Sequence, residues 1–301
     1  MKIARGTTLS IILTLMLATV THGQSRRSAR GDSATEGTVI SVTASRESAK
    51  PDPIRVENLF LYENAIEQKI KNFSLDPSPS RIVLLVDNSQ TLPTTLENLK
   101  KAAMEFAYEI FDGDQLFTIA YDEKAEIIQE WTDDAKKMET SLETFRKKGN
   151  PNLFDAIDIS LKEILIPLMP GTRKTAVVII GDGLDRGSKI SFDKVLSELQ
   201  GQNVTVYALQ IPDRTGGAFR RDQPKAGAVI TRLVEETGGR VFPFAEAQEA
   251  AKAICDELRK GRYLLSYMPT NTSSYDARKI FLIADEGIDV RTKAMHPPNV
   301  K

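Results

Sequence analysis

RIVLLVDNSQT, residues 81–91, decides how the rest of the chain is read. Ile82, Val83, Leu84, Leu85 and Val86 form an unbroken apolar run with β-branched members. Such a run fits a strand buried on both faces, as in the middle of a parallel sheet. A carboxylate and two hydroxyls then follow at alternate positions, Asp87, Ser89 and Thr91, where the strand should end. Ligands of open α/β sheets collect in the crevice at the carboxyl ends of the strands. Alternate residues of an extended segment face the same way, so the three oxygens can share one target. Hard oxygen donors suit Mg²⁺ or a similar ion, which takes oxygen ligands and keeps some of its waters.

A second run of the same kind, TAVVII at 175–180, ends on Gly181-Asp182-Gly183. Parallel strands of one sheet end at the same edge, so Asp182 can reach the crevice that holds Asp87. The bland alternative is a pair of surface turns in which Asp, Ser and Thr cap helices. Two such turns after two buried strands weigh against it.

Working outward, strands and helices alternate from residue 81 on. Helices are predicted at 92–111, 133–147, 153–165, 190–199, 228–236 and 245–259, and further strands at 115–121, 125–131, 204–210 and 239–244. The three-residue link 122–124 allows only an antiparallel pair, whereas the other strands suit parallel crossovers. The fold class is therefore α/β, a doubly wound, mostly parallel sheet. The ends read differently. Residues 38–44 suggest a strand, and 54–73 a hairpin that turns at 63–65 with Leu59, Leu61, Ile66 and Ile70 facing one way. Residues 262–268, 279–284 and 288–292 are strand-like with no helix between them. These segments predict a small antiparallel β addition built from both ends of the chain.

Composition narrows the chemistry. The chain has 301 residues, 41% hydrophobic and 27% charged, with a formal net charge of −1. That balance gives no push towards nucleic acid or an anionic membrane. Cys255 is the only cysteine, so no intrachain disulfide can form, and its neighbours Ala251 and Leu258 place it on an apolar helix face. Lys2 and Arg5 precede an apolar run over 9–20, and small residues at 21 and 23 precede Gln24. This is the pattern of a secretory signal over 1–23, short for a membrane span. Residues 24–37 then read as a disordered polar tail, in which Arg30-Gly31-Asp32 is a chance match in a Ser/Arg/Gly-rich segment. After cleavage His296 would be the one remaining histidine, which argues against His-ligated zinc and Ser-His-Asp catalysis. No Gly-Lys-Ser/Thr phosphate loop occurs.

Asp87-x-Ser89-x-Thr91, the helix start Phe154-Asp155-Ala156-Ile157 and the turn Gly181-Asp182-Gly183 resemble a von Willebrand factor type A domain. More narrowly, Tyr62-Glu63-Asn64-Ala65-Ile66-Glu67-Gln68, Thr237-Gly238-Gly239-Arg240 and Tyr263-Leu264-Leu265-Ser266-Tyr267 are similar to the exported "VWFA-related" family of bacteria. The resemblance implies an A domain over 81–260, flanked by β segments at 38–75 and 261–295 that pack together. It implies a metal-ion-dependent adhesion site at Asp87, Ser89, Thr91 and Asp182, holding Mg²⁺, Mn²⁺ or Ca²⁺, whose shell is completed by an acidic group of a partner protein. The family's middle loop usually offers a Thr, and this chain has Pro151 there; Asn150 or Asn152 is the substitute at hand. Phe219-Arg220-Arg221 lies in a loop that should overhang the same edge and shape partner choice. The expected protein is a non-enzymatic, periplasmic or secreted binding module. The alternatives are a metal-free scaffold with a decayed site and a metal-dependent phosphoester hydrolase, the latter without a Lys or Arg placed by any motif.

Overall fold

The computed structural model describes residues 37–46, 52–169, 174–213, 223–271, 273 and 275–298. The expected signal, the tail with Arg30-Gly31-Asp32, and Phe219, Arg220 and Arg221 lie outside the described residues. Among the described residues no helix is long and apolar enough to cross a membrane.

In chain order the elements are β1 (Thr38–Arg46), β2 (Leu59–Glu63), β3 (Ile66–Gln68), β4 (Ile70–Leu75), β5 (Ser80–Asp87), α1 (Leu96–Glu109), β6 (Gln115–Tyr121) and β7 (Ala125–Thr132). There follow α2 (Ala135–Leu142), α3 (Leu153–Ile159), β8 (Lys174–Gly181), α4 (Phe192–Gly201), β9 (Thr205–Gln210), α5 (Ala226–Glu235), β10 (Val241–Pro243) and α6 (Ala247–Lys260). The chain closes with β11 (Arg262–Tyr267), β12 (Arg278–Ala284), β13 (Ile288–Thr292) and β14 (Met295–His296).

A six-stranded sheet in the order β10-β9-β8-β5-β6-β7 carries the α/β part. Every neighbouring pair in it is parallel except β6 with the edge strand β7. β5 sits between β8 and β6, which is why its sequence is apolar on both faces. Val83 and Leu85 point into the layer made by α3, α4 and α5. Ile82, Leu84 and Val86 point into the layer made by α1, α2 and α6. The two-residue alternation then carries the Asp87 side chain to the Val83–Leu85 face, in register with Tyr121 of β6.

Helix α1 starts four residues later than the apolar periodicity suggests. Pro93 disfavours helical backbone at the residue before it, and the Thr95 hydroxyl accepts from Asn98 N at 3.3 Å to set the cap. The helix expected at 133–147 is also shorter, capped by Asp134 and ending at Leu142.

The two ends of the chain make a pair of four-stranded sheets, β13-β1-β11-β4 and β14-β12-β2-β3, in place of the single small sheet expected. Ile40, Val42, Leu61, Leu265, Tyr267 and Leu282 fill the core between them. Leu59 and Leu61 face that core and Ile70 packs against it, as expected of the hairpin. Ile66 does not: it is 56% exposed, opposite Glu63 in the register. The buried place at that end is taken by Glu63 itself, which accepts from the Tyr267 hydroxyl at 2.5 Å and from Arg278 at 3.1 Å.

The β2–β3 turn has positive φ at both central residues, 49° at Asn64 and 65° at Ala65. That is the hairpin geometry Asn-Gly satisfies best, and alanine pays for left-handed backbone. Ala65→Gly should stabilise the protein by about 1 kcal/mol, read as a higher urea midpoint with an unchanged slope.

The sandwich is tied to the α/β part by polar contacts as well as packing. Arg291 of β13 pairs with Glu257 of α6 and donates to Gly239 O at 2.7 Å. Glu257 also accepts from the Tyr207 hydroxyl at 2.5 Å. Ala294 N reaches Glu236 O at 2.9 Å, and Lys293 Nζ reaches Gln200 O at 2.8 Å.

Candidate metal centre

Asp87, the last residue of β5, is fully buried. Its Oδ1 accepts from Ser89 N at 2.8 Å, whereas its Oδ2 takes no backbone hydrogen bond. Burial raises its carboxyl to about 7, and the charge of Asp182 adds to the effect; bonds from Ser89 and the ammonium of Lys147 oppose it. The Ser89 and Thr91 hydroxyl oxygens lie 3.1 Å apart. Ser89 is buried and Thr91 half-buried, so the cluster approaches the surface at Thr91.

The loop that carries these hydroxyls is pinned from outside itself. Asn88 N donates to Tyr121 O at 3.1 Å and Asn88 Nδ2 to Arg146 O at 2.7 Å. Gln90 N donates to Gly149 O at 3.2 Å. Lys147 Nζ bonds Leu92 O at 2.5 Å and Thr94 O at 2.8 Å. The 146–149 segment is thus the loop's scaffold, and Lys147 places a positive charge within electrostatic reach of Asp87.

Asp182 follows β8 directly. Its Oδ1 accepts from Leu184 N at 2.9 Å, and burial pushes its carboxyl upward. The backbone before it runs against Asp87. A Cβ at Gly181 would lie 3.0 Å from Asp87 Cβ, 3.0 Å from Tyr121 Oη and 3.6 Å from Asp87 Oδ2. Glycine therefore lets β8 close on the ends of β5 and β6, where the Tyr121 hydroxyl lies beside the Asp87 carboxyl. Burial raises the Tyr121 phenol well above its usual range, the charges of Asp87, Asp182 and Asp185 raise it further, and its hydrogen bond with Asp87 adds to the effect.

The structure thus gathers Asp87, Ser89 and Thr91, with Asp182 near enough for its charge to bear on Asp87. Asn150 and Asn152 follow Gly149, whose carbonyl is bonded by Gln90 N of the hydroxyl loop. With Glu123, Arg186 and Gly187 they line a hollow of about 380 Å³. Asn152 Nδ2 donates to Glu123 O at 3.1 Å and its backbone N to Asp122 O at 2.9 Å. Pro151 is buried and its carbonyl accepts from Arg186 N at 2.8 Å. Asp155, part of the motif at the start of α3, accepts from Lys189 N at 2.8 Å and Ile190 N at 3.1 Å, so it anchors the loop after β8.

Two residues here were not singled out from sequence. Tyr121 faces Asp87, and the signal was present: it ends the strand that pairs with β5. Asp185 is buried three residues after Asp182, bonded to Ser188 Oγ and to Phe154 N at 3.2 Å. Among the described residues no three His, Cys, Asp or Glu side chains converge on a common point. The donors at the sheet edge are instead two carboxylates and two hydroxyls, the set a hard, oxygen-loving cation takes. The Asp87 Oδ2, which takes no backbone hydrogen bond, is a lone-pair donor within that set, so these residues fit such an ion.

Residues 82–184 match the family model described as von Willebrand factor type A domain. The chain carries a von Willebrand factor type A domain. The matched stretch of the A domain contains all four candidate ligands. A solved aerotolerance-related membrane protein from Bacteroides fragilis is similar at 19% identity and a TM-score of 0.48, covering 60% of this chain and 99% of that one. BatB from Bacteroides thetaiotaomicron is similar at 18% identity and a TM-score of 0.46, covering 60% and 98%. A von Willebrand factor type A structure from Catenulispora acidiphila covers 81% of this chain and 75% of its own, at 10% identity and a TM-score of 0.49. The search of curated proteins found no match.

Proposed function

We propose that this A domain is an exported protein-binding module that holds Mg²⁺ or a similar divalent ion and grips an acidic group of a partner protein. Asp87, Ser89, Thr91 and Asp182 would hold the ion. One observation carries this reading: the fully buried Asp87 carboxylate, whose Oδ2 takes no backbone hydrogen bond, beside two hydroxyls and a second carboxylate. A carboxylate buried away from water is costly, and a cation offsets that cost. The bound ion would supply an open coordination position for a partner's carboxylate. The residues of this chain set the position of that ion: the alternation of β5 aims Asp87, and the 146–149 segment fixes the hydroxyl loop. The signal-like segment at 1–23 supports a periplasmic or secreted location.

Pro151 supplies no side-chain oxygen, so affinity should be weaker than in a complete set. Calorimetric titration with Mg²⁺ or Mn²⁺ should give saturable heat in the wild type and none in Asp87→Ala. A wild type that gives no heat sinks the metal reading. A second reading, a metal-free scaffold, draws on Pro151 and on the Lys147 ammonium whose field already reaches Asp87. Capture of the same partner with equal strength in EDTA favours it.

A further inference from the structure

At the opposite edge of the sheet, where β5 and β8 begin, two buried cations make no direct ion pair, although Asp76 lines the same groove and bears on Lys174 through its charge. Lys174 is 5% exposed and Arg262 4% exposed, and neither forms an ion pair with a described carboxylate. Lys174 Nζ donates to the backbone oxygen of Asp76 at 2.9 Å, and Arg262 Nη1 to Thr43 Oγ1 at 3.0 Å. An ammonium has three donors and a guanidinium five, so most of their capacity is unspent. Removing a charge from water without pairing it is unfavourable. Burial accordingly pulls Lys174 below its ordinary pKa; Asp76 and Asp114 attract it, while Arg259 and Arg262 repel it.

Both side chains open onto one groove of about 710 Å³ between the A domain and the sandwich. That is the size range of small-molecule sites. Arg81 lies on its rim with the guanidinium 5.6 Å from the Trp131 ring centre. The facing wall is apolar, formed by Leu165, Leu168, Met169 and Leu264. We infer that this groove binds a small amphipathic carboxylate, its anionic head against Lys174 and Arg262 and its apolar body along Leu165, Leu168 and Met169. The head completes the missing ion pairs, and the body covers the apolar wall. The site is separate from Asp87, at the other end of the same strands.

Octanoate is the probe, titrated calorimetrically in EDTA so that no metal can hold its carboxylate. The wild type should bind it saturably, and acetate, which lacks the body, far more weakly. Lys174→Met should lower octanoate affinity at least tenfold, about 1.4 kcal/mol, while keeping the fold, since an apolar side chain relieves the buried charge. Ser41→Glu, which adds a second carboxylate to the groove beside Asp76, should raise the melting temperature and block octanoate. Absence of saturable octanoate binding, binding retained in Lys174→Met, or acetate binding as tightly as octanoate would overturn the assignment.

Discussion

Asp87→Asn should raise the stability of the metal-free protein at pH 8 by roughly 1–3 kcal/mol. A folded-state carboxyl at about 7, against 3.8 for an unperturbed one, marks a group whose ionised form the fold disfavours. Each pK unit is worth 1.36 kcal/mol, so the gap corresponds to about 4 kcal/mol at a pH above both values. Asparagine keeps an oxygen for Ser89 N and removes the charge, at the cost of an amide nitrogen left without a partner, about 1–3 kcal/mol. The pH dependence has a definite sign. A raised carboxyl contributes stability that is fully present below the unfolded value and is lost as pH rises through the folded one. In EDTA the wild type should therefore weaken between about pH 4 and pH 7, and the advantage of Asp87→Asn should shrink as pH is lowered towards 4. Millimolar Mg²⁺ should stabilise the wild type in proportion to ln(1 + [Mg²⁺]/Kd) and leave the variant unmoved. Urea midpoints at pH 5 and pH 8, with EDTA and with Mg²⁺, measure all of this. A variant that is less stable than wild type at pH 8 in EDTA removes the idea that the site is strained without its ion.

Much of the fold was legible because its elements obey short-range rules. A buried parallel strand needs an apolar run, and β5 and β8 have one; the three-residue link after Tyr121 forces β7 antiparallel. The positions of the candidate ligands follow from the same rules. Asp87 and Asp182 were placed at one sheet edge by strand polarity alone, and Ser89 and Thr91 by alternation. What sequence reading missed depends on contacts between distant segments. The support of the hydroxyl loop by Arg146, Lys147 and Gly149 has no local signature. Ile66 looks like a core residue until Tyr267 and Arg278, some 200 residues later, are seen to hold Glu63 in the buried place. The β segments pair into two sheets, β1 with β11 and β2 with β12, and such long-range register is not written in either strand by itself. The buried cations Lys174 and Arg262 begin two strands and look like ordinary charged strand ends until the sandwich covers them.

Gly183→Ala should cost about 3 kcal/mol or more, the largest single loss expected near the candidate metal centre. Gly183 has φ +82°, where an L side chain is strained, and its added Cβ would lie 2.5 Å from Ala226 O and 2.6 Å from Ile230 Cγ1. Left-handed backbone at alanine costs about 1–2 kcal/mol. The collision is with the first turns of α5, and overpacking of that kind typically adds about 1–3 kcal/mol. Gly287 separates the two contributions: its φ is +78°, with nothing within 4 Å of an added Cβ. Gly287→Ala should therefore cost only the backbone share, about 1–2 kcal/mol. The difference between the two urea midpoints, converted with a common slope, isolates the price of pushing α5 away from the turn. That displacement moves the Asp182–Leu184 bond as well, so Gly183→Ala should also weaken any Mg²⁺ heat, whereas Gly287→Ala should leave it intact. Equal destabilisation by the two variants would show that α5 does not rest on Gly183, and that Asp182 is held by its own turn alone.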